Sequence, residues 1–173
     1  GARVARIVAP LMANTADASA MCYANERNDL SMMALLCKSV KPGGALPLPD
    51  ILGDACAGDD VEAIASWLDL GGPIDARWSS ILMHNPHGDE LTLTLVHFAT
   101  LMNSEGVATL LIERRASLDL QDSTGCTPLM VACYRGHTRV ACRLLEAGAD
   151  PSIRSKQGLT ALNYADARGD LKT

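Results

Sequence analysis

The side chains in this sequence with the strongest affinity for metals include Cys133, His137 and Cys142, which follow the spacing C-x3-H-x4-C. Cys126 precedes them, so a zinc site with these four ligands is a first hypothesis. Structural zinc sites favour tight C-x2-C pairs, and the sequence contains none. We therefore expect that these residues bind no metal.

A second candidate metal site is the H-x-x-H motif formed by His84 and His87, with Asp89 and Glu90 close behind. Imidazole and carboxylate groups together can bind a transition metal. Two histidines in a polar loop are more often simply solvated, so no metal is expected here either.

Enzyme motifs are missing from the sequence. It has no G-x-S-x-G elbow, no phosphate-binding loop ending in G-K-[ST] and no dinucleotide-binding G-x-G-x-x-G. The adjacent carboxylates Asp59-Asp60 and Asp89-Glu90 fall at predicted breaks, where solvated helix ends explain them. We expect no catalytic residues, no cofactor and no small-molecule substrate.

The elements that carry the first cysteine and histidine cluster run from Asp122 to Asp150. The sequence predicts a turn, a helix beginning at Thr127-Pro128, a break at Gly136-His137, a second helix and a stop at Gly148. Two such short helices cannot enclose a core by themselves. Neighbouring copies must therefore stack on them.

This stretch resembles the ankyrin repeat. The matching positions are Thr127-Pro128-Leu129 with Met130 for the motif histidine, Ala132, Gly136-His137, Leu144-Leu145 and Gly148-Ala149-Asp150. The resemblance implies an all-α fold, an ankyrin-repeat solenoid of stacked helix-turn-helix units with short hairpin-like loops. It also implies that His97, in the histidine slot of another copy, hydrogen-bonds neighbouring backbone.

The same template divides the whole chain. We predict an N-terminal helix or partial repeat at 1–18, a diverged repeat at 19–49, a repeat with an inserted loop at 50–93, repeats at 94–126 and 127–159, and a partial repeat or cap at 160–173. Thr94, Thr127 and Thr160 are 33 residues apart. Arg115 replaces the stop glycine of its repeat, so a less regular helix end is expected there.

The insertion lies at about 77–91. Gly71 and Arg115 are 44 residues apart, against 33 between later equivalent positions, so about eleven residues are inserted. Trp78 and Met83 make this loop apolar, and it must either fold back on the helices or bury itself in a partner. We slightly favour folding back, but both readings stay open. If the loop docks, replacing Trp78 and Met83 with serine should abolish partner capture and leave helicity intact.

The resemblance implies a partner surface built from hairpin tips and first helices, which line a concave groove in this family. With the insertion included, the predicted partner-binding residues are Trp78, Met83, Leu91, Leu93, Leu101, Met102, Ser123, Thr124, Cys126, Tyr134, Arg135, Lys156, Gln157, Leu159 and Arg168. Tyrosine beside arginine is a combination enriched at interface hot spots.

Composition sets the remaining expectations. The formal charge of −5 favours neither nucleic acid nor an anionic membrane, and no apolar run reaches the roughly 20 residues of a membrane span. Six cysteines without paired spacing indicate free thiols in a reducing compartment, the cytoplasm, with an organelle as the alternative for a subunit of a complex.

The predicted function is therefore non-enzymatic protein recognition by an adaptor or scaffold, through the concave face and the inserted loop. The partner would be another protein or a multisubunit complex. Two alternatives stay open: a structural subunit bound permanently in a large assembly, possibly organellar, and the recognition arm of a multidomain enzyme.

Overall fold

The protein is described here from a computed structural model, which defines residues 24, 27, 30–39, 46–47, 50–84 and 90–168. In these residues the helices are α1 (Leu30–Ser39), α2 (Asp50–Ala57), α3 (Val61–Asp69), α4 (Leu95–Leu101), α5 (Glu105–Glu113), α6 (Pro128–Arg135), α7 (Thr138–Glu146) and α8 (Ala161–Arg168). The strands are β1 (Leu46–Pro47), β2 (Trp78–His84) and β3 (Glu90–Leu93).

The helices form two stacked layers. In the inner layer α2, α4, α6 and α8 pack in sequence order, and in the outer layer α1, α3, α5 and α7 do the same. Each outer helix from α3 onward also packs against the inner helix that precedes it. This is the solenoid of helix-turn-helix units predicted from the sequence.

Each inner helix from α4 onward begins with the same hydrogen-bonding device. The backbone N–H of Thr94, Thr127 or Thr160 donates to a side chain three residues later. The acceptors are His97 Nδ1 at 3.3 Å, Met130 Sδ at 3.4 Å and Asn163 Oδ1 at 2.9 Å. These three side chains fill the motif histidine slot, so each repeat satisfies one backbone donor at its helix start.

The sequence analysis predicted a less regular helix end at Arg115, and this prediction is wrong. Its φ of 60° is left-handed, like that of Gly148 at the equivalent position after α7. The N–H of Arg115 donates to Ile112 O at 3.0 Å, and that of Gly148 to Leu145 O at 3.0 Å. This conformation costs about 1–3 kcal/mol for a residue other than glycine.

The insertion is a β-hairpin, where the sequence analysis predicted a loop. Strands β2 and β3 pair antiparallel, with Trp78 opposite Leu93 and His84 opposite Glu90, and the register shifts between Ser80 and His84. Strand β1 pairs parallel to the start of β2, which gives the order β1-β2-β3. The hairpin thereby ties the segment before α2 to the segment before α4.

The hairpin reaches the core through Trp78. The rings of Trp78 and Trp67 meet edge to face, with centroids 6.0 Å apart and planes at 62°, and both side chains are fully buried. Trp67 comes from the outer helix α3. The insertion therefore folds back on the helices through this tryptophan.

We expect Gly72→Ala to destabilise this contact. A Cβ atom at Gly72 would overlap the indole ring of Trp67, which has no room to move because it is buried against Trp78. Overpacking of this kind costs about 1–3 kcal/mol. Urea denaturation followed by circular dichroism should show a loss of about that size in the free energy of unfolding.

Gly58→Ala is the matched control for this prediction. Its added Cβ would have Asp54 O as its nearest neighbour, at 3.3 Å, and would touch no ring. Its effect should be clearly smaller than that of Gly72→Ala. Equal effects from the two variants would show that Trp67 can move aside.

Candidate partner-binding surface

The inner helices α4, α6 and α8 pack against one another in sequence order. Met102 caps the end of α4, and Tyr134 lies in the last turn of α6. Met102 is 38% exposed and Tyr134 is 61% exposed. Arg135 beside them is also exposed.

Tyr164 of α8 completes this surface. Its ring meets that of Tyr134 edge to face, with centroids 6.1 Å apart and planes at 87°. Edge-to-face pairs of this kind hold aromatic side chains in one orientation and so limit the entropy lost when a partner binds. We call Met102, Tyr134, Arg135 and Tyr164 the inner-helix surface.

The hydroxyl of Tyr164 lies against the preceding hairpin tip. It donates to Ser155 Oγ at 3.3 Å and lies 3.4 Å from Cys126 Sγ. Burial raises the pKa of the Tyr164 phenol, and the hydrogen bond to Cys126 acts in the same direction. The sequence analysis named Cys126 and Tyr134 as site residues but not Tyr164, which joins them. The sequence offered one signal for Tyr164: it lies 33 residues, one repeat period, after Val131 of α6.

The hairpin tip between α5 and α6, which includes Ser123 and Thr124, uses most of its polar groups in hydrogen bonds within the chain. The N–H and hydroxyl of Thr124 both donate to Asp122 Oδ1, at 2.8 and 2.6 Å. Ser123 Oγ accepts from the N–H of Thr92 at 3.2 Å, which connects the tip to β3. Ser123 and Thr124 are therefore half-buried, with fewer groups free for a partner than the sequence analysis assumed.

The tip before α8 is more open. Lys156, Gln157 and Leu159 are all exposed. The backbone N–H of Lys156 donates to Thr124 O at 3.2 Å. Among the described residues its ammonium group forms no ion pair. This tip therefore adds positive charge and one apolar side chain next to the inner-helix surface.

Two residues predicted to contact a partner lie in the core instead. Trp78 is 0% exposed and Leu93 is 1% exposed, because β2 and β3 place them opposite each other on the side of the hairpin that faces the helices. Leu91 and Leu101 are half-buried and pack against the same core. The side chains of Met83 and Arg168 lie outside the described part of the structure.

The buried histidine His97 connects two repeats. Its Nδ1 accepts from the N–H of Thr94 and lies 2.8 Å from Thr94 Oγ1, and its Nε2 lies 3.1 Å from Cys126 O. A backbone N–H can only donate, so the ring proton must sit on Nε2 and point to Cys126. The predicted hydrogen bonds of His97 to neighbouring backbone are confirmed. Burial lowers the pKa of His97, because the charged ring would lose its solvation.

The two metal hypotheses gain no geometric support. Among the residues that the structure describes, no group of three histidine, cysteine or acidic side chains is placed to hold an ion. Cys126, Cys133 and Cys142 are free thiols, and burial raises the pKa of Cys133. His87 and Asp89 lie outside the described residues.

The stacked helix pairs and their repeated caps define a class of protein, the ankyrin-repeat solenoid. Residues 111–165 match the family model described as ankyrin repeats (many copies). This segment of the chain is therefore similar to ankyrin repeats.

Curated proteins of different kinds are similar to parts of this chain. The chain is similar to fem-1 homolog A-like protein of Mus musculus, 42% identical over 60 residues, which are 35% of this chain and 9% of that protein. It is 50% identical over 44 residues to ankyrin repeat domain-containing protein 46 of Danio rerio, covering 25% of this chain and 19% of the relative. It is also 38% identical over 89 residues to DExH-box ATP-dependent RNA helicase DExH6 of Arabidopsis thaliana. This match covers 49% of this chain and 7% of the relative.

The matched segments thus span less than a fifth of the curated relatives cited here. Ankyrin repeats are in general protein-interaction modules. In the described part of the chain, no helix has the length and apolar character needed to span a membrane.

Proposed function

We propose that this chain is a non-enzymatic adaptor or scaffold that binds a partner protein through the inner-helix surface. The observation that carries the proposal is the exposure of Met102 and Tyr134 at the ends of adjacent inner helices, with Tyr134 held by Tyr164. Exposed, orientated aromatic side chains next to arginine are typical of interface hot spots.

The charges around this surface indicate the character of the partner. Arg135 and Lys156 are exposed, while Asp122 beneath the tip is buried and accepts hydrogen bonds from Thr124 and Cys126. The surface therefore offers cations around an apolar centre on a chain of net charge −5. A protein segment with an apolar anchor flanked by acidic residues would complement it. We do not extend the proposal to nucleic acid, because the overall negative charge opposes it.

Trp78 of the inserted hairpin is not part of the proposed contact, because its side chain is buried. We propose that the protein works in a reducing compartment such as the cytoplasm. The free thiols of Cys37, Cys56, Cys126, Cys133 and Cys142 support this proposal.

Affinity capture from a native extract tests the function. The whole chain and its Met102→Ser/Tyr134→Ser variant would serve as baits at low and high salt, with retained proteins quantified by mass spectrometry. We expect one or a few proteins to be retained by the wild type and reduced at least about tenfold by the variant, since two hot-spot contacts are lost. High salt should also weaken retention.

Leu145→Ser is the control for this experiment. Leu145 is 47% exposed, but it lies on the outer helix α7 and away from the inner layer. It should retain the same proteins as the wild type, and circular dichroism should show all three baits equally helical. Equal retention by the double variant would refute the inner-helix surface as the binding site.

A second candidate function is recognition by an ankyrin segment within a larger enzyme. The similarity to a protein named as an RNA helicase, of which the match covers 7%, favours it. In that case the inner-helix surface would bind the protein on which the larger enzyme acts or with which it assembles. Capture of the same partner by the full-length natural protein, with loss of that partner after Tyr134→Ser, would support this alternative.

A further inference from the structure

The outer helices α3, α5 and α7 end in equivalent ways. Their last residues are Asp69, Glu113 and Glu146, and their C-cap residues are Leu70, Arg114 and Ala147. An acidic residue thus ends each helix, while the residue after it varies. Each of these outer helices packs on the next.

At the first junction, between α3 and α5, the C-cap residue of α5 forms an ion pair with the acidic end of α3. Arg114, which caps α5, places its Nη1 2.6 Å from Oδ1 of Asp69 at the end of α3. The neighbouring Asp75 accepts from the N–H and the hydroxyl of Ser117, at 2.9 and 2.6 Å. The carboxylates of the first repeat are thus satisfied by groups of the repeat that follows.

At the second junction, between α5 and α7, an alanine stands in place of this arginine. Ala147 caps α7 at the position equivalent to Arg114, and Glu113 ends α5 at the position equivalent to Asp69. In the described residues Glu113 forms no ion pair. Asp119, equivalent to Asp75, accepts only the N–H of Asp150 among these residues, at 2.9 Å, through one of its two oxygens.

A cavity of about 440 Å³ lies at this second junction. Glu113, Asp119 and Ala147 line it together with the apolar side chains of Ile112 and Leu118. The C-terminal ends of α5 and α7 add their negative dipole ends. Arg115 also lines the cavity, so the side chains around it carry a net charge of one negative unit.

We propose that this cavity binds an arginine side chain of a partner protein. The bound guanidinium would pair with Glu113 as Arg114 pairs with Asp69 at the preceding junction, and it would use the remaining oxygen of Asp119. Its aliphatic stem would lie along Ile112 and Leu118. Arginine suits the site better than lysine, because its planar, weakly hydrated fork donates to two carboxylates at once. The cavity shares no residue with the inner-helix surface, so this site stands independently of the proposed function.

Titration of the labelled whole chain with N-acetyl-arginine amide, followed by NMR, tests the site directly. N-acetyl-citrulline amide is the neutral isostere of the same shape, and N-acetyl-lysine amide carries the other cation. We expect saturable shifts of the amide resonances in 112–119 and 147–148 with the arginine compound. The citrulline compound should give none, and the lysine compound smaller ones.

Two variants locate the binding. Glu113→Gln keeps the shape of the cavity and should weaken binding roughly two- to fivefold, the range expected for one exposed ion pair. Ala147→Arg supplies the cation from the chain itself, as Arg114 does, and should abolish the shifts. Equal shifts with citrulline, equal shifts with lysine, or shifts unchanged by Ala147→Arg would each overturn the assignment.

Discussion

Trp78→Ala is expected to lower the free energy of unfolding by about 3–5 kcal/mol, the usual range for removing a buried aromatic side chain of this size. The ring is fully buried and meets Trp67 edge to face, with 6.0 Å between centroids. It is also the point where β1, β2 and β3 join, since Leu46 and Leu93 pair on either side of it. Its loss would leave a cavity and detach the hairpin from the helices. Urea denaturation followed by circular dichroism would measure the change.

Tyr134→Ala provides the comparison for that variant. Its ring is 61% exposed, so its removal should change the free energy of unfolding by about 0.5 kcal/mol or slightly more, because only the contact with Tyr164 is lost. A Trp78→Ala protein as stable as Tyr134→Ala would mean that the hairpin is not part of the cooperative fold. Because Trp78 is buried, replacing Trp78 and Met83 with serine should reduce helicity as well as partner capture. The sequence analysis had expected helicity to stay intact.

His97→Ala is expected to cost about 2–4 kcal/mol. The imidazole is buried and hydrogen-bonds Thr94 at the start of its own helix and Cys126 O in the next repeat. Alanine would leave those buried backbone groups unpaired and create a cavity, each of which costs a few kcal/mol or less. His137→Ala is the control, because His137 is only half-buried and lies at a helix start on the chain's surface. Its effect should stay below about 1 kcal/mol. Similar losses in the two variants would argue against a bridging role for His97.

The pH dependence of stability provides a second test of His97. Its pKa is lowered in the folded protein by burial, from an ordinary value of 6.5. Below that value the unfolded chain takes up a proton that the folded chain does not, so the contribution is fully present above about pH 6.5 and is lost as the pH falls toward the folded pKa. The slope should approach at most about 1.4 kcal/mol per pH unit. His97→Ala should flatten the curve between about pH 7 and pH 5, and an unchanged slope would assign the effect to other groups.

Much of the fold from Thr94 onward was predictable, because its signals are local. Thr94, Thr127 and Thr160 begin helices 33 residues apart, and Gly136 and Gly148 take the left-handed conformations that end helices. Helix starts, breaks and apolar faces are each fixed within a few residues of sequence. The hydrogen bonds of His97 followed from its place in the motif.

The candidate surface was only partly predictable. Tyr134 and Met102, two of the predicted partner-binding residues, are exposed, and their contact with a partner stays a prediction. Tyr164 was missed, because its role depends on a neighbouring helix that brings it to Tyr134 and Cys126. Asp59 is a similar case: its carboxylate accepts from the N–H groups of Gly106 and Val107, at 3.0 and 2.8 Å, and so caps the helix of the next repeat.

The sequence by itself determined the repeat, its period and the positions where helices begin and end, since caps, glycines and apolar spacing act over short distances along the chain. Only the tertiary structure decided which side chains a partner could reach. Trp78 is an apolar residue in an insertion, and it became core because Trp67 and the strands β1 and β3 cover it. Ala147 is unremarkable in sequence, and it lines a cavity together with Glu113 and Asp119 of the preceding repeat. Burial and complementarity depend on what packs across a junction, and that information lies in residues far apart along the chain.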